Sequence, residues 1–263
     1  MSAPAVPARV TFMSDKVSVS IEGAVRTVTL TRPEKGNAMD AEMLRALEDA
    51  FDPASGPGEA ERAAVIRAQG RVFCSGLDLR GGLGRDQNVE TLFHRVETWP
   101  LPVVAVVQGA AIAGGNELAL HCDIVVASEE ARFGMSLAQV GLAPSWFLTK
   151  KLLEVGGPVA TREILLLGDP IPAPRMADLG LIARCVPADE LQATADRIID
   201  RLIRNAPLSL KAMKATINRE MAFRDTIEHT ETDQMVRAAL KSNDAKEGVR
   251  ARMERRDATF TGE

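Results

Sequence analysis

Five consecutive apolar residues, Val103-Val104-Ala105-Val106-Val107, stand between Pro102 and Gln108-Gly109. A strand with one face in water would alternate apolar and polar side chains. This one does not, so both faces must be covered, as in the interior of a parallel sheet. Parallel neighbours need crossover segments, and the flanking sequence supplies them. Residues 41–51 carry Met43, Leu44, Leu47 and Phe51 at helical spacing behind Asp40, a plausible N-cap. Residues 89–98 read as a second helix, stopped by Pro100 and Pro102, and 115–121 as a third. Further strands are expected at 63–66 and 124–127, and Glu22-Gly23 joins strands 17–21 and 25–30 in a hairpin. After Gly141 the pattern is helical: 149–155, 159–167, 174–178, 190–205, 208–221, about 223–241 and 244–255. Asp244 with Glu247 reads as a capping box for the last of these. The expected architecture is an α/β core followed by a C-terminal helical layer.

Bulk properties exclude several classes of function. The net charge of −4 disfavours nucleic acid, which calls for a basic stripe. Cys74, Cys122 and Cys185 form neither a disulfide framework nor a CxxC metal pattern, which suits a reducing cytoplasm. No apolar run approaches the roughly 20 residues that span a membrane. Residues 1–13 have no apolar segment of the kind found in secretory signals and read as a disordered extension, with Met13 an alternative start.

Two strands lead into glycine-containing loops, Gly70 to Leu79 and Gln108 to Leu118. In a parallel sheet such loops lie together at the carboxyl ends of the strands, where ligands bind. Gly114-Gly115 opens a helix, whose first N–H groups are unpaired and attract negative charge. Glu117 lies three residues on, and i and i+3 share a helix face.

The phrases Phe73-Cys74-Ser75-Gly76-Leu77-Asp78-Leu79 and Gly109-Ala110-Ala111-Ile112-Ala113-Gly114-Gly115-Asn116-Glu117-Leu118 occur in that order. They are joined by Arg32-Pro33, Asn37-Ala38, Phe133-Gly134 and Phe260-Thr261-Gly262. This ordered set resembles the crotonase (enoyl-CoA hydratase/isomerase) superfamily over nearly the whole chain. The resemblance implies a spiral of ββα units and an oxyanion hole for a thioester carbonyl, formed by the N–H groups of Leu77 and Gly114. It implies Glu117 as acid/base, and CoA contacts near Lys35 and along Ser75, Asp78, Leu79 and Arg80. Trimers or dimers of trimers are implied too. The chain then divides into the extension 1–13, an α/β core 14–205 and a helical trimerisation region 206–263. No metal, flavin or nicotinamide is implied; coenzyme A enters as part of the substrate.

The pattern departs from hydratases at one place. The second hydratase glutamate falls on Leu137, which cannot transfer a proton. Trp146 and Phe147 add bulk nearby, and Trp146 is a candidate pocket residue. The expected activity is therefore an enoyl-CoA hydratase/isomerase-type reaction through an enolate. Acyl-CoA hydrolysis, decarboxylation and acyl-CoA binding without catalysis remain open. His94 reads as a surface or packed histidine and Cys74 as a structural thiol. Glu117 and His121, at i and i+4, lack a third metal ligand. Gly81-Gly82-Leu83-Gly84 does not have dinucleotide-loop spacing and reads as a lid.

Overall fold

The computed structural model describes residues 9–78 and 88–263. Leu79, Arg80 and the expected lid at 81–84 lie outside the described residues. The order begins β1 (Arg9–Ser14), β2 (Val17–Glu22), β3 (Val25–Leu30), α1 (Ala41–Ala50), β4 (Ala63–Ala68) and β5 (Val72–Cys74). There follow α2 (Val89–Thr98), β6 (Val103–Val107), β7 (Ala110–Ile112), α3 (Gly114–Leu120), β8 (Ile124–Ser128) and β9 (Arg132–Gly134). The chain then runs through α4 (Trp146–Arg162), β10 (Ile171–Pro172), α5 (Ala173–Asp178) and β11 (Arg184–Val186). Helices α6 (Leu191–Arg204), α7 (Pro207–Met221), α8 (Thr230–Lys241) and α9 (Asn243–Glu254) complete it.

Two sheets arise from a repeated step. β4, β6 and β8 run parallel in a large sheet of order β1-β2-β3-β4-β6-β8-β11. The strand that follows each of them, β5, β7 or β9, crosses into a small sheet of order β10-β9-β7-β5. This is the expected spiral of strand-strand-helix units. β6 sits inside the large sheet with every residue buried. Val103, Ala105 and Val107 pack into the main core, whereas Val104 and Val106 pack under Leu191, Ala195, Ile199 and Leu202 of α6. An unbroken apolar run is thus what a strand between two apolar layers requires, at about 1.5–3 kcal/mol for each fully buried valine.

Several expectations change. Residues 9–14, most of which fall in the expected extension, form β1 antiparallel to β2. The alternation Arg9-Val10-Thr11-Phe12 is a strand pattern, and without β1 the edge of β2 would be left unpaired. The two helices expected at 149–155 and 159–167 stand on either side of a break inside α4 at Gly157, φ 64° and ψ 179°, followed by Pro158, and the second ends in a π turn (Glu163–Leu167). Asp244 is not the cap of α9. Ser242 is, its hydroxyl accepting from the Ala245 N–H at 2.9 Å. Asp244 instead accepts from the N–H groups of Thr261 (2.7 Å) and Gly262 (2.9 Å), pinning the tail to α9. Among the described residues, no helix is long and apolar enough to cross a membrane.

Candidate active site

Two loops meet where β5 and β7 end. After Cys74 the chain turns at Gly76, whose φ of 97° is a conformation glycine takes without strain. Met39 then bridges it: the Met39 N–H donates to the Gly76 carbonyl (2.8 Å), and the Met39 carbonyl accepts from the Asp78 N–H (2.9 Å). In a parallel bridge those two bonds leave the N–H of the residue between them, Leu77, facing away. The second loop leaves β7 through Ala113, at φ 50° and ψ −117°, and opens α3 at Gly114. A non-glycine residue in that region costs about 1–3 kcal/mol and marks sites whose backbone is over-determined. The Ala113 N–H donates to the Gly134 carbonyl at 2.7 Å, which fixes the turn.

Neither the Leu77 nor the Gly114 N–H donates to a described residue. The loops also touch. A Cβ on Gly76 would fall 3.4 Å from the Gly114 nitrogen, and one on Gly115 only 2.1 Å from the Cys74 carbonyl oxygen. Glycine at 115 is therefore a requirement of contact. Asn37 holds the neighbouring turn: its side-chain amide donates to the carbonyls of Gln69 (2.9 Å) and Val72 (2.8 Å).

A cavity of about 180 Å³ opens beside these donors. Ser75, Leu77, Gly114, Glu117 and Leu137 all line it, and Phe93, Ile112, Met135, Val140 and Leu142 make its walls apolar. Glu117 and Arg252 are the charged residues among the described residues that line it. Glu117 is fully buried, and neither carboxyl oxygen has a hydrogen-bond partner among the described residues. Burial pushes its pKa up to about 8, against the pull of the Lys151 ammonium. Lys151 is itself held by Glu97 and, at 3.2 Å, by Glu154.

Behind Glu117 lies His121. Its ring is stacked between Phe93 (centroids 5.3 Å) and Phe147 (5.1 Å). Nδ1 lies 2.8 Å from the Glu117 carbonyl, an acceptor, so Nδ1 carries the proton. Burial holds the imidazole down to about 3, hence neutral. The i, i+4 pair is a packing arrangement rather than a ligand set. Cys74, also buried, is pushed up to about 12 and donates to the Asn37 carbonyl, as expected of a structural thiol. His94 is exposed, edge-on to Phe147.

Three expected contacts are not in the cavity. Lys35 is exposed on the Pro33–Lys35 turn, beside Gly36, whose carbonyl accepts from the Ser75 N–H at 3.0 Å. Asp78 pairs with Arg32 (2.9 Å), fixing the Leu77 loop rather than facing the cavity. Trp146 stacks on His229 (centroids 4.6 Å, 7°) and lines a separate groove, because the first turn of α4 turns Phe147, not Trp146, toward His121. Arg252 was not a sequence candidate. Nothing local marks it, since α9 reaches the cavity only through tertiary packing.

The enoyl-CoA hydratase/isomerase family model matches residues 20–263. A putative enoyl-CoA hydratase of Thermus thermophilus is 34% identical over 258 residues, covering 91% of this chain and 98% of its own. A 1,2-epoxyphenylacetyl-CoA isomerase of Escherichia coli is 30% identical over 263 residues, covering 95% of this chain and 100% of its own. The crystal structure of carnitinyl-CoA hydratase from Mycobacterium avium is similar at a TM-score of 0.84 and 29% identity, covering 95% of this chain and 100% of that one. Sequence match, spiral fold and paired glycine loops agree: the chain belongs to the enoyl-CoA hydratase/isomerase family of the crotonase superfamily.

Proposed function

We propose that the chain carries out a hydratase/isomerase-type reaction on an enoyl-CoA thioester, with Glu117 moving the proton. The observation that carries this reading is the juxtaposition of Glu117 with two unspent backbone donors. Its carboxyl is buried, unpartnered and poised near neutral pH, where a proton carrier works best. The N–H groups of Leu77 and Gly114 hold the thioester oxygen and gain strength as negative charge develops on it. Glu117 then removes a proton from carbon and returns it, so that a double bond migrates with no net change in atoms.

Hydration adds water across the same double bond: the hydroxyl goes to one carbon and a proton to the other. Leu137 offers no second carboxyl to position that water, so hydration relies on Glu117 alone. That favours reactions needing one proton relay. Hydrolysis or decarboxylation through the same enolate is the second reading, motivated by Leu137. Ser75 opens toward the exposed Lys35, which we assign to the CoA phosphates. No metal, flavin or nicotinamide enters this scheme, and coenzyme A is the carrier of the substrate.

We further propose a homotrimer or a dimer of trimers. Leu208, Ile217, Met235 and Leu240 on α7 and α8 are each more than 60% exposed, an apolar surface a partner subunit would cover. The three free thiols suit the cytoplasm.

A panel of 2-enoyl-, 3-enoyl-, 3-hydroxyacyl- and malonyl-type CoA thioesters tests the reaction. Conversion between 2-enoyl and 3-enoyl or 3-hydroxyacyl forms without release of free CoA is the expected result. Thiol release or loss of carbon dioxide would establish the second reading. Acyl-CoA binding without turnover of any member would make the chain a binding protein.

A further inference from the structure

The cavity holds a cation that its neighbours leave unanswered. Helix α9 buries Ala245, Gly248 and Ala251, one face of the helix. That face is pressed onto the segment before Gly141. A Cβ on Gly248 would fall 2.4 Å from the Val140 carbonyl carbon, and one on Gly141 2.6 Å from Asp244. Arg252, one turn beyond Gly248, is thereby carried to the wall formed by Leu137, Val140 and Leu142. Two neighbouring basic groups are matched: Arg250 pairs with Glu247, and Arg256 with Glu247 and, at 2.7 Å, with Glu254. The Arg252 guanidinium has no hydrogen bond or ion pair with any described residue.

The Arg252 guanidinium is exposed at the edge of an apolar wall, with its donors free of any described residue, and a bound anion would engage them. Its planar fork matches a carboxylate in two parallel hydrogen bonds. We propose that Arg252 selects acyl-CoA thioesters whose acyl chain ends in a carboxylate, that is, monothioesters of dicarboxylic acids. This rests on the acyl-CoA reading above and specifies its substrate class. Arg252 shares its wall with Leu137 and Val140 and lies on a different element from the Ser75 loop and Lys35, so the acyl end is the partner rather than the CoA phosphates.

Saturated thioesters test this without requiring turnover. Binding of succinyl-, glutaryl- and adipyl-CoA would be compared by calorimetry with that of butanoyl-, pentanoyl- and hexanoyl-CoA. At least one dicarboxylic thioester should bind about tenfold or more tighter than its length-matched partner. Arg252→Met should remove that margin and leave the neutral thioesters unchanged, and Arg252→Lys should restore part of it. Margins within twofold at every length, or an equal loss for both classes in Arg252→Met, would overturn the proposal. Failure of every acyl-CoA to bind would instead overturn the acyl-CoA reading itself. Because Arg252 is exposed, its replacement leaves the core packing intact.

Discussion

One wall of the cavity is made of backbone, and the wall carrying Leu137 and Arg252 is made of side chains brought from distant segments. The first is formed by the Leu77 loop and the start of α3, two neighbouring stretches locked by Gly76, Gly115 and Met39. It presents two N–H donors and one carboxyl. The second is formed by residues 137–142 and by α9, more than 100 residues later in the chain. It presents methyl groups and one guanidinium. We assign reactivity to the first wall, where charge can develop next to fixed dipoles, and selection of the acyl chain to the second.

The sharpest way to break this division is at Glu117. Glu117→Gln should lower turnover by about 10²–10⁴-fold while acyl-CoA binding persists. The same change should stabilise the fold in a pH-dependent way. The folded-state pKa is raised from 4.5 to about 8, so the native state holds the proton more tightly than the unfolded chain. Stability is complete below about pH 4.5 and is lost as pH rises through about 8. Thermal melts should therefore show a gain for the variant at pH 8.5, on the order of 5 kcal/mol, and little gain at pH 5.

The backbone donors come next. Gly115→Ala puts a Cβ into the Cys74 carbonyl and must separate the loops, so kcat should fall about 10²–10³-fold. Gly114→Ala meets only the flexible end of Met39, at 2.8 Å, and should cost less than about tenfold. Equal effects from the two would show that the loop contact does not set the donor geometry.

On the opposite wall, Leu137→Glu would place a second carboxyl in the cavity. Hydration should rise by about tenfold relative to double-bond migration, followed as the ratio of 3-hydroxyacyl to isomerised product. An unchanged ratio would remove Leu137 from the account of the reaction. Behind the wall the smallest effect on turnover is expected, and the change falls on stability instead. His121 is held neutral, its pKa lowered from 6.5 to about 3, so its contribution to stability is present above pH 6.5 and is lost as pH falls toward 3. His121→Gln should flatten the acid limb of the stability curve.

The two walls also differ in how readable they were. Val103–Val107, the glycine loops and Glu117 could be placed from sequence because each depends on neighbours within a few residues or on strand order. The N-cap at Asp40 was legible for the same reason, and its carboxylate accepts from the Met43 N–H at 3.0 Å. Arg252 and the position of Trp146 were not legible. Both depend on how far helices rotate when they dock, and that angle is set by contacts such as Gly248 on Val140 and Trp146 on His229. Asp244 was misread for a related reason: its tail partners, Thr261 and Gly262, lie well beyond a local window.

Exchange at carbon tests the central claim most directly. Butanoyl-CoA incubated with the protein in deuterium oxide should acquire deuterium next to the carbonyl, at a rate that rises with pH through about 8, the pKa of Glu117. With Glu117→Gln the exchange should disappear. Undiminished exchange in that variant would contradict the assignment of Glu117 as the group that moves the proton.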